Sequence, residues 1–176
     1  MTTQTEILSL SSLDYLPFLD ENGIISEEIQ GKIGVYAIFD QEKVLQFVGY
    51  SRDIYLSLKQ HLVRQPNHCY WIKLQTISRP SRTILEEIRQ AWLSENGSIQ
   101  MDEAKWTQPI DAKLVMSETE KQDYQKLDEM GQIKLLKKVS RRVEETILQQ
   151  LKERGVQLEI RFSPKLKEEG LLDLKP

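Results

Sequence analysis

The sequence predicts an α+β fold: a small three-stranded antiparallel sheet covered by helices, with a helical C-terminal extension. Three observations carry this expectation. Two apolar, β-rich runs, Lys32–Phe39 and Lys43–Val48, flank the short connection Asp40-Gln41-Glu42-Lys43, as in a hairpin. A helical pattern, a third alternating run and a second helical pattern follow directly. The longest helical pattern of the chain then lies well beyond them, at Gln132–Arg154.

Taken in order, Leu8, Leu10, Leu13, Leu16 and Leu19, with Asp14, Asp20 and Glu21 between them, predict a short N-terminal helix or arm over residues 1–29. It ends its regular part near Asn22-Gly23 and serves to cover a sheet edge or face. After the hairpin, Ile54, Leu58, His61 and Leu62 recur at helical spacing, with Ser51 as the expected N-cap and Pro66-Asn67 as the stop. Cys69–Ile77 alternates and reads as the third strand. Arg82–Asn96 follows as a helix with the apolar stripe Ile84, Leu85, Ile88, Ala91 and Trp92, and Gly97 just past its end. The core is therefore expected over 30–97.

The extension, 98–155, is expected to begin irregularly over Ser98–Val115, around Trp106 and Pro109. Ser117-Glu118-Thr119-Glu120 is a capping box that starts a short helix to about Leu127. In the long helix, Leu135, Leu136, Val139, Val143, Ile147 and Leu151 form the stripe, and Gly155 ends it. Residues 156–176 read as an edge strand, Val156–Phe162, and an apolar tail ending Leu171-Leu172-Asp173-Leu174. That tail either folds back onto the body or docks on a protein partner.

Composition narrows the class. The chain has 176 residues, 39% apolar and 29% charged, enough for one modest core. No run approaches a bilayer span, and the first twenty residues lack both a basic leader and an Arg-rich amphipathic pattern, so a soluble, cytoplasmic protein without membrane contact is expected. Its one cysteine, Cys69, allows no internal disulfide or cysteine metal cluster and reads as a small buried hydrophobe. Net charge is −3, so a nucleic-acid footprint must be a local patch. Lys134, Lys138, Arg141 and Arg142 supply one, at i, i+3 and i+4 spacings beside the stripe of the long helix. Trp71, Trp92 and Trp106 are candidates for stacking on bases, although Trp92 belongs to an apolar stripe.

The hairpin carries two tripeptides, Gly34-Val35-Tyr36 and Phe47-Val48-Gly49, and its second strand feeds a helix. With the order strand, strand, helix, strand, helix, this resembles the GIY-YIG nuclease superfamily. The tail, Arg161-Phe162-Ser163-Pro164 through Gly170-Leu171-Leu172-Asp173-Leu174, adds a likeness to small GIY-YIG-domain proteins of cyanobacteria and plastids. The family sets two strand tyrosines, a helix arginine and a glutamate of the following helix around one divalent metal. Such a metal and cation stabilise the charge that develops on a phosphodiester.

Tyr36 matches the first tyrosine. Phe47 stands at the second and has no hydroxyl to move a proton or hold phosphate. Ser57 stands at the arginine. At 100° per residue, Arg52 is about 140° and Lys59 about 160° off its face, while Arg64 lies about 10 Å further along the axis. His61, one turn from Ser57, is the nearest titratable group on that face. Glu86 or its neighbour Glu87 matches the metal ligand. The resemblance thus implies a vestigial centre of Tyr36, His61 and Glu86. The expectation is a binding module for nucleic acid or protein that needs no cofactor. The alternative is a divergent Mg²⁺-dependent endonuclease that acts on DNA.

Overall fold

A computed structural model of the chain describes residues 6–97 and 101–175. Residues 1–5 of the expected arm, 98–100 at the start of the extension and 176 lie outside the described residues. The fold is α+β and divides into two compact units, Met1–Trp106 and Thr107–Pro176.

The first unit is built on an antiparallel sheet of four strands rather than three. The strands are β1 (Leu16–Pro17), β2 (Ile33–Phe39), β3 (Leu45–Ser51) and β4 (Trp71–Ile77), in the order β1-β4-β2-β3. The added strand comes from the arm, where Leu16 and Pro17 pair with Ile72 and Trp71. Two residues are too few to show a period in sequence, and proline fits only at such an edge.

The hairpin joining β2 and β3 turns on Asp40, whose carboxylate accepts from the amides of Glu42 and Val44 at 3.0 and 2.9 Å. Lys43 takes the left-handed backbone conformation there, with φ at 64°. β3 runs three residues past its expected end, because Gly49, Tyr50 and Ser51 keep pairing with Tyr36, Val35 and Gly34. Ser51 is therefore still in the sheet and cannot cap the next helix. Asp53 caps α1 (Ile54–Arg64) instead, its side chain accepting from the Leu56 amide.

Alternation along the strands assigns the two faces. Val35, Ala37, Phe39 and Val48 pack with Leu85, Ile88 and Trp92 of α2 (Arg82–Glu95). Tyr36 and Phe47 turn the other way, towards His61 of α1. The expected N-terminal helix is only a 3₁₀ turn, Leu10–Ser12, in an otherwise extended arm.

Side chains of the sheet and of α2 supply the arm's polar partners. Gln75 donates to the Glu6 carbonyl at 2.6 Å and Trp92 to that of Leu8 at 2.8 Å. Buried Lys73 donates to the Leu10 carbonyl at 3.0 Å and sits 4.2 Å from the centre of the Tyr15 ring. Glu95 accepts from the Leu10 amide at 2.6 Å. Beyond α2, the segment expected to be irregular contains a short helix, α3 (Glu103–Thr107), and its Trp106 is buried.

In the second unit the capping box forms as expected. Ser117 and Glu120 satisfy each other's amides at the start of α4 (Glu118–Lys126). The long helix α5 covers Glu129–Glu153, three residues earlier at its start than the periodicity indicates, because Asp128 caps it through the Gly131 amide at 2.8 Å. Leu136, Val139, Ser140, Ile147 and Leu151 are its buried residues.

Val156–Phe162 does not form the expected edge strand and makes only one isolated bridge, Phe162 to Leu174. The pairing partner is the tail. Leu171 and Leu172 form β6, antiparallel to β5 (Ile110–Asp111), after a single helical turn α6 (Pro164–Lys167). Leu172 is fully buried, so the tail folds back into its own unit.

Gly34 is the tightest point of the sheet. A methyl group there would collide with the Gln75 carbonyl and lie 2.9 Å from the Thr76 Cα, both backbone of β4. Gly34→Ala is expected to destabilise the chain by about 1–3 kcal/mol, read as a lower urea midpoint. An unchanged midpoint would mean that β2 and β4 are less closely paired than described.

Candidate functional site

Tyr36 leaves the middle of β2 opposite Gly49 of β3. A Cβ at position 49 would stand 2.9 Å from the Tyr36 hydroxyl and 2.7 Å from Phe47 Cε1, so only glycine lets the phenol cross the strand. The hydroxyl ends 2.7 Å from His61 Nε2. Phe47 covers the pair, its ring centroid 4.9 Å from that of His61 and 6.3 Å from that of Tyr36. Trp106 covers Phe47 in turn, nearly parallel at 11° with centroids 5.4 Å apart. All four side chains are buried.

Hydroxyl protons can be assigned from the network around Ser57. Ser51 donates to the Asp53 carbonyl at 2.9 Å, and Ser57 donates to Ser51 at 2.7 Å. Tyr36 and His61 Nε2 share one proton in their bond, and the imidazole tautomer sets which of them donates. Among the described residues His61 Nδ1 makes no hydrogen bond, and the Trp106 carbonyl accepts from Arg64 at 2.7 Å.

Burial pushes the Tyr36 phenol far above its ordinary value, and the Ser57 hydroxyl and Arg64 charge oppose this only in part. Burial is also the main reason that the His61 imidazole falls to about 3, followed by the nearby Arg64 charge; the Trp106 carbonyl acts weakly in the other direction. Both groups are neutral at neutral pH.

Glu86 stands elsewhere. It lines an open groove of about 930 Å³ with Ile7, Tyr50, Arg82, Thr83, Glu87 and Gln90, and none of Tyr36, Phe47 and His61 lines that groove. Gln90 donates to its carboxylate at 2.8 Å and Arg89 at 3.2 Å. The Gln90 bond is the largest influence holding its pKa down, with Arg89 acting in the same direction. Glu87 is exposed on the same groove. Among the described residues, no group of three or more His, Cys, Asp or Glu side chains could hold a metal ion.

On α5, Lys134, Lys138 and Arg141 are exposed, and among the described residues none has an ion-pair partner. Helical geometry places the three within about 60° of one another's direction. Arg142 is occupied: it pairs with Glu120 at 2.8 Å and donates to the Val115 carbonyl at 3.2 Å. That pairing is the main cause of the Glu120 carboxyl falling to about 2. Trp92 is fully buried, with its indole nitrogen on the Leu8 carbonyl. Trp71 is half-buried beside Tyr15 and Lys43.

Sequence reasoning overlooked Trp106 as a constituent of the Tyr36 environment. Its short helix has no apolar period to read, and only its lone large aromatic among polar neighbours marked it.

No family model matches the chain. Among curated proteins it is similar to the chloroplastic bifunctional monothiol glutaredoxin-S16 of Arabidopsis thaliana, 32% identical over 90 residues. The match takes in 51% of this chain and 29% of that longer protein. No described helix is long and apolar enough to cross a membrane.

The lowered imidazole has a measurable consequence. Between its ordinary value of 6.5 and about 3, the unfolded chain binds a proton that the folded chain refuses. Stability is therefore complete above the upper value and lost as pH falls through this window. His61→Gln keeps a polar partner for Tyr36 without the titration. Its urea midpoint should fall less than the wild-type midpoint between about pH 7 and about pH 5. Equal pH dependence in the two proteins would contradict a buried, neutral His61.

Proposed function

We propose that the chain is a GIY-YIG nuclease-family domain with an eroded catalytic centre, acting as a non-catalytic module that binds nucleic acid. The observation that carries this reading is the buried Tyr36–His61 hydrogen bond beneath Phe47 and Trp106. A group that activates water or meets phosphate must be reachable by both. Here the phenol and imidazole satisfy each other in an apolar pocket, and their shifted pKa values keep them uncharged. The glutamate that the family would use for metal is held by Gln90 and Arg89 on a separate groove. A binding role draws on Lys134, Lys138 and Arg141, three exposed cations on one side of α5 that have no ion-pair partner among the described residues.

The relative's name describes a monothiol glutaredoxin, and this chain is poorly suited to thiol chemistry. Cys69 is fully buried, with its sulfur 3.7 Å from the His61 carbonyl, whereas a reactive cysteine needs an accessible thiolate.

The test is incubation with single-stranded, duplex and branched DNA, with Mg²⁺ and with Mn²⁺. No cleavage is expected. Cleavage abolished by both Tyr36→Phe and Glu86→Ala would establish the endonuclease alternative and overturn the proposal.

Binding is read separately by salt titration. Reversing Lys134, Lys138 and Arg141 to Glu should weaken binding by about tenfold or more and flatten the salt dependence. An unaltered salt slope would remove α5 from the interface.

A further inference from the structure

Helix α3 is attached to the first unit in an unusual way. Of the α3 residues Glu103, Ala104, Lys105, Trp106 and Thr107, only Trp106 is buried and the other four are exposed. The helix is held by its indole, lying flat on Phe47 with its ring also 5.7 Å from that of His61, and by two arginines. Arg64 donates to the Trp106 carbonyl at 2.7 Å, and Arg89 donates to the Glu103 carboxylate at 2.8 Å.

These are an aromatic plane stacked on an aromatic floor and an anion on a guanidinium. A nucleotide with an unpaired base presents the same two groups, a flat ring and a negative phosphate oxygen. Arg89 is well placed to exchange one anion for the other. Its Nε is anchored on the Val48 carbonyl at 3.2 Å and one terminal nitrogen on Glu86, and the remaining nitrogen holds Glu103.

We propose that α3 is a displaceable plug, with Trp106 and Glu103 occupying in cis the base and phosphate positions of a site for single-stranded nucleic acid formed by Phe47, His61 and Arg89. The proposal rests on nucleic acid being the ligand of this domain and adds how access to it is regulated. A ligand that offers a flat ring to Phe47 and an anion to Arg89 competes with α3 for those two contacts directly. Apparent affinity is reduced by the fraction of molecules with α3 seated, and variants that unseat α3 should raise it. A duplex, whose base faces are covered by their neighbours, gains nothing from the exposed ring.

The experiment measures fluorescence anisotropy of a labelled oligothymidylate, and of a duplex of equal length, titrated with the whole chain. Trp106→Ala should bind the single strand about tenfold more tightly than wild type and the duplex no more tightly. Glu103→Gln, an exposed change that leaves the indole in place, should gain a few-fold on the single strand only. Adding Phe47→Leu to Trp106→Ala should remove the gain.

Equal single-strand affinity in wild type and Glu103→Gln, with Trp106→Ala either equal or unfolded, overturns the plug. So does a gain of the same size on duplex. The series is repeated with Lys134, Lys138 and Arg141 reversed. A gain that survives there supports the plug whether or not α5 binds. Loss of binding on charge reversal with no gain from unseating α3 leaves the α5 reading standing and ends this one.

Discussion

The hydrogen bond between the Tyr36 hydroxyl and His61 Nε2, 2.7 Å long, organises the face of the sheet that α1 covers. Two polar groups inside an apolar layer are tolerable only when each satisfies the other, and leaving either alone would cost about 1–3 kcal/mol. Glycine at position 49 gives the phenol room to reach across β3. Phe47 and Trp106 then exclude water from above, and this exclusion drives both pKa shifts. Removing one member affects the rest: without the imidazole the phenol loses its partner, and without Gly49 the ring cannot lie where it does.

This interior also makes sense of Phe47 and Ser57. A second hydroxyl or a guanidinium pointing into the same layer would need its own buried partner, and an uncompensated charge there is costly. Phe47 fills the volume without a polar group. Ser57 spends its proton on Ser51, in a chain of hydroxyls that ends at the Asp53 carbonyl. Arg64, the cation nearest to this layer along α1, turns its guanidinium to the Trp106 carbonyl. Each choice favours a closed, neutral core over an open site for phosphate.

Much of the fold is legible along the chain because its signals are local. The hairpin follows from two β-rich runs about a short polar connection, α2 from its apolar period, and the Ser117–Glu120 capping box from two residues three apart. Features that failed to show are those set by partners distant in sequence. β1 exists because β4 offers an open edge to Leu16 and Pro17. The β5–β6 pair joins residues about sixty positions apart. The alternation over Val156–Phe162 is real in sequence, yet a strand needs a neighbour to pair with, and only Phe162 has one.

The candidate site divides in the same way. In sequence, the resemblance to the GIY-YIG superfamily picks out Tyr36, Phe47, Gly49 and Glu86, and His61 is picked out by lying one helical turn from Ser57. Which of them meet depends on how the sheet and helices pack. Packing brings Tyr36 to His61, puts Glu86 on another groove, and takes Arg142 from the cationic row by giving it Glu120. The sequence by itself determined the hairpin and the helices α1, α2, α4 and α5, because those depend on neighbours within a few positions. Tertiary structure alone decided that Trp106 closes the layer over Phe47. That contact spans almost sixty residues, and no local period encodes it.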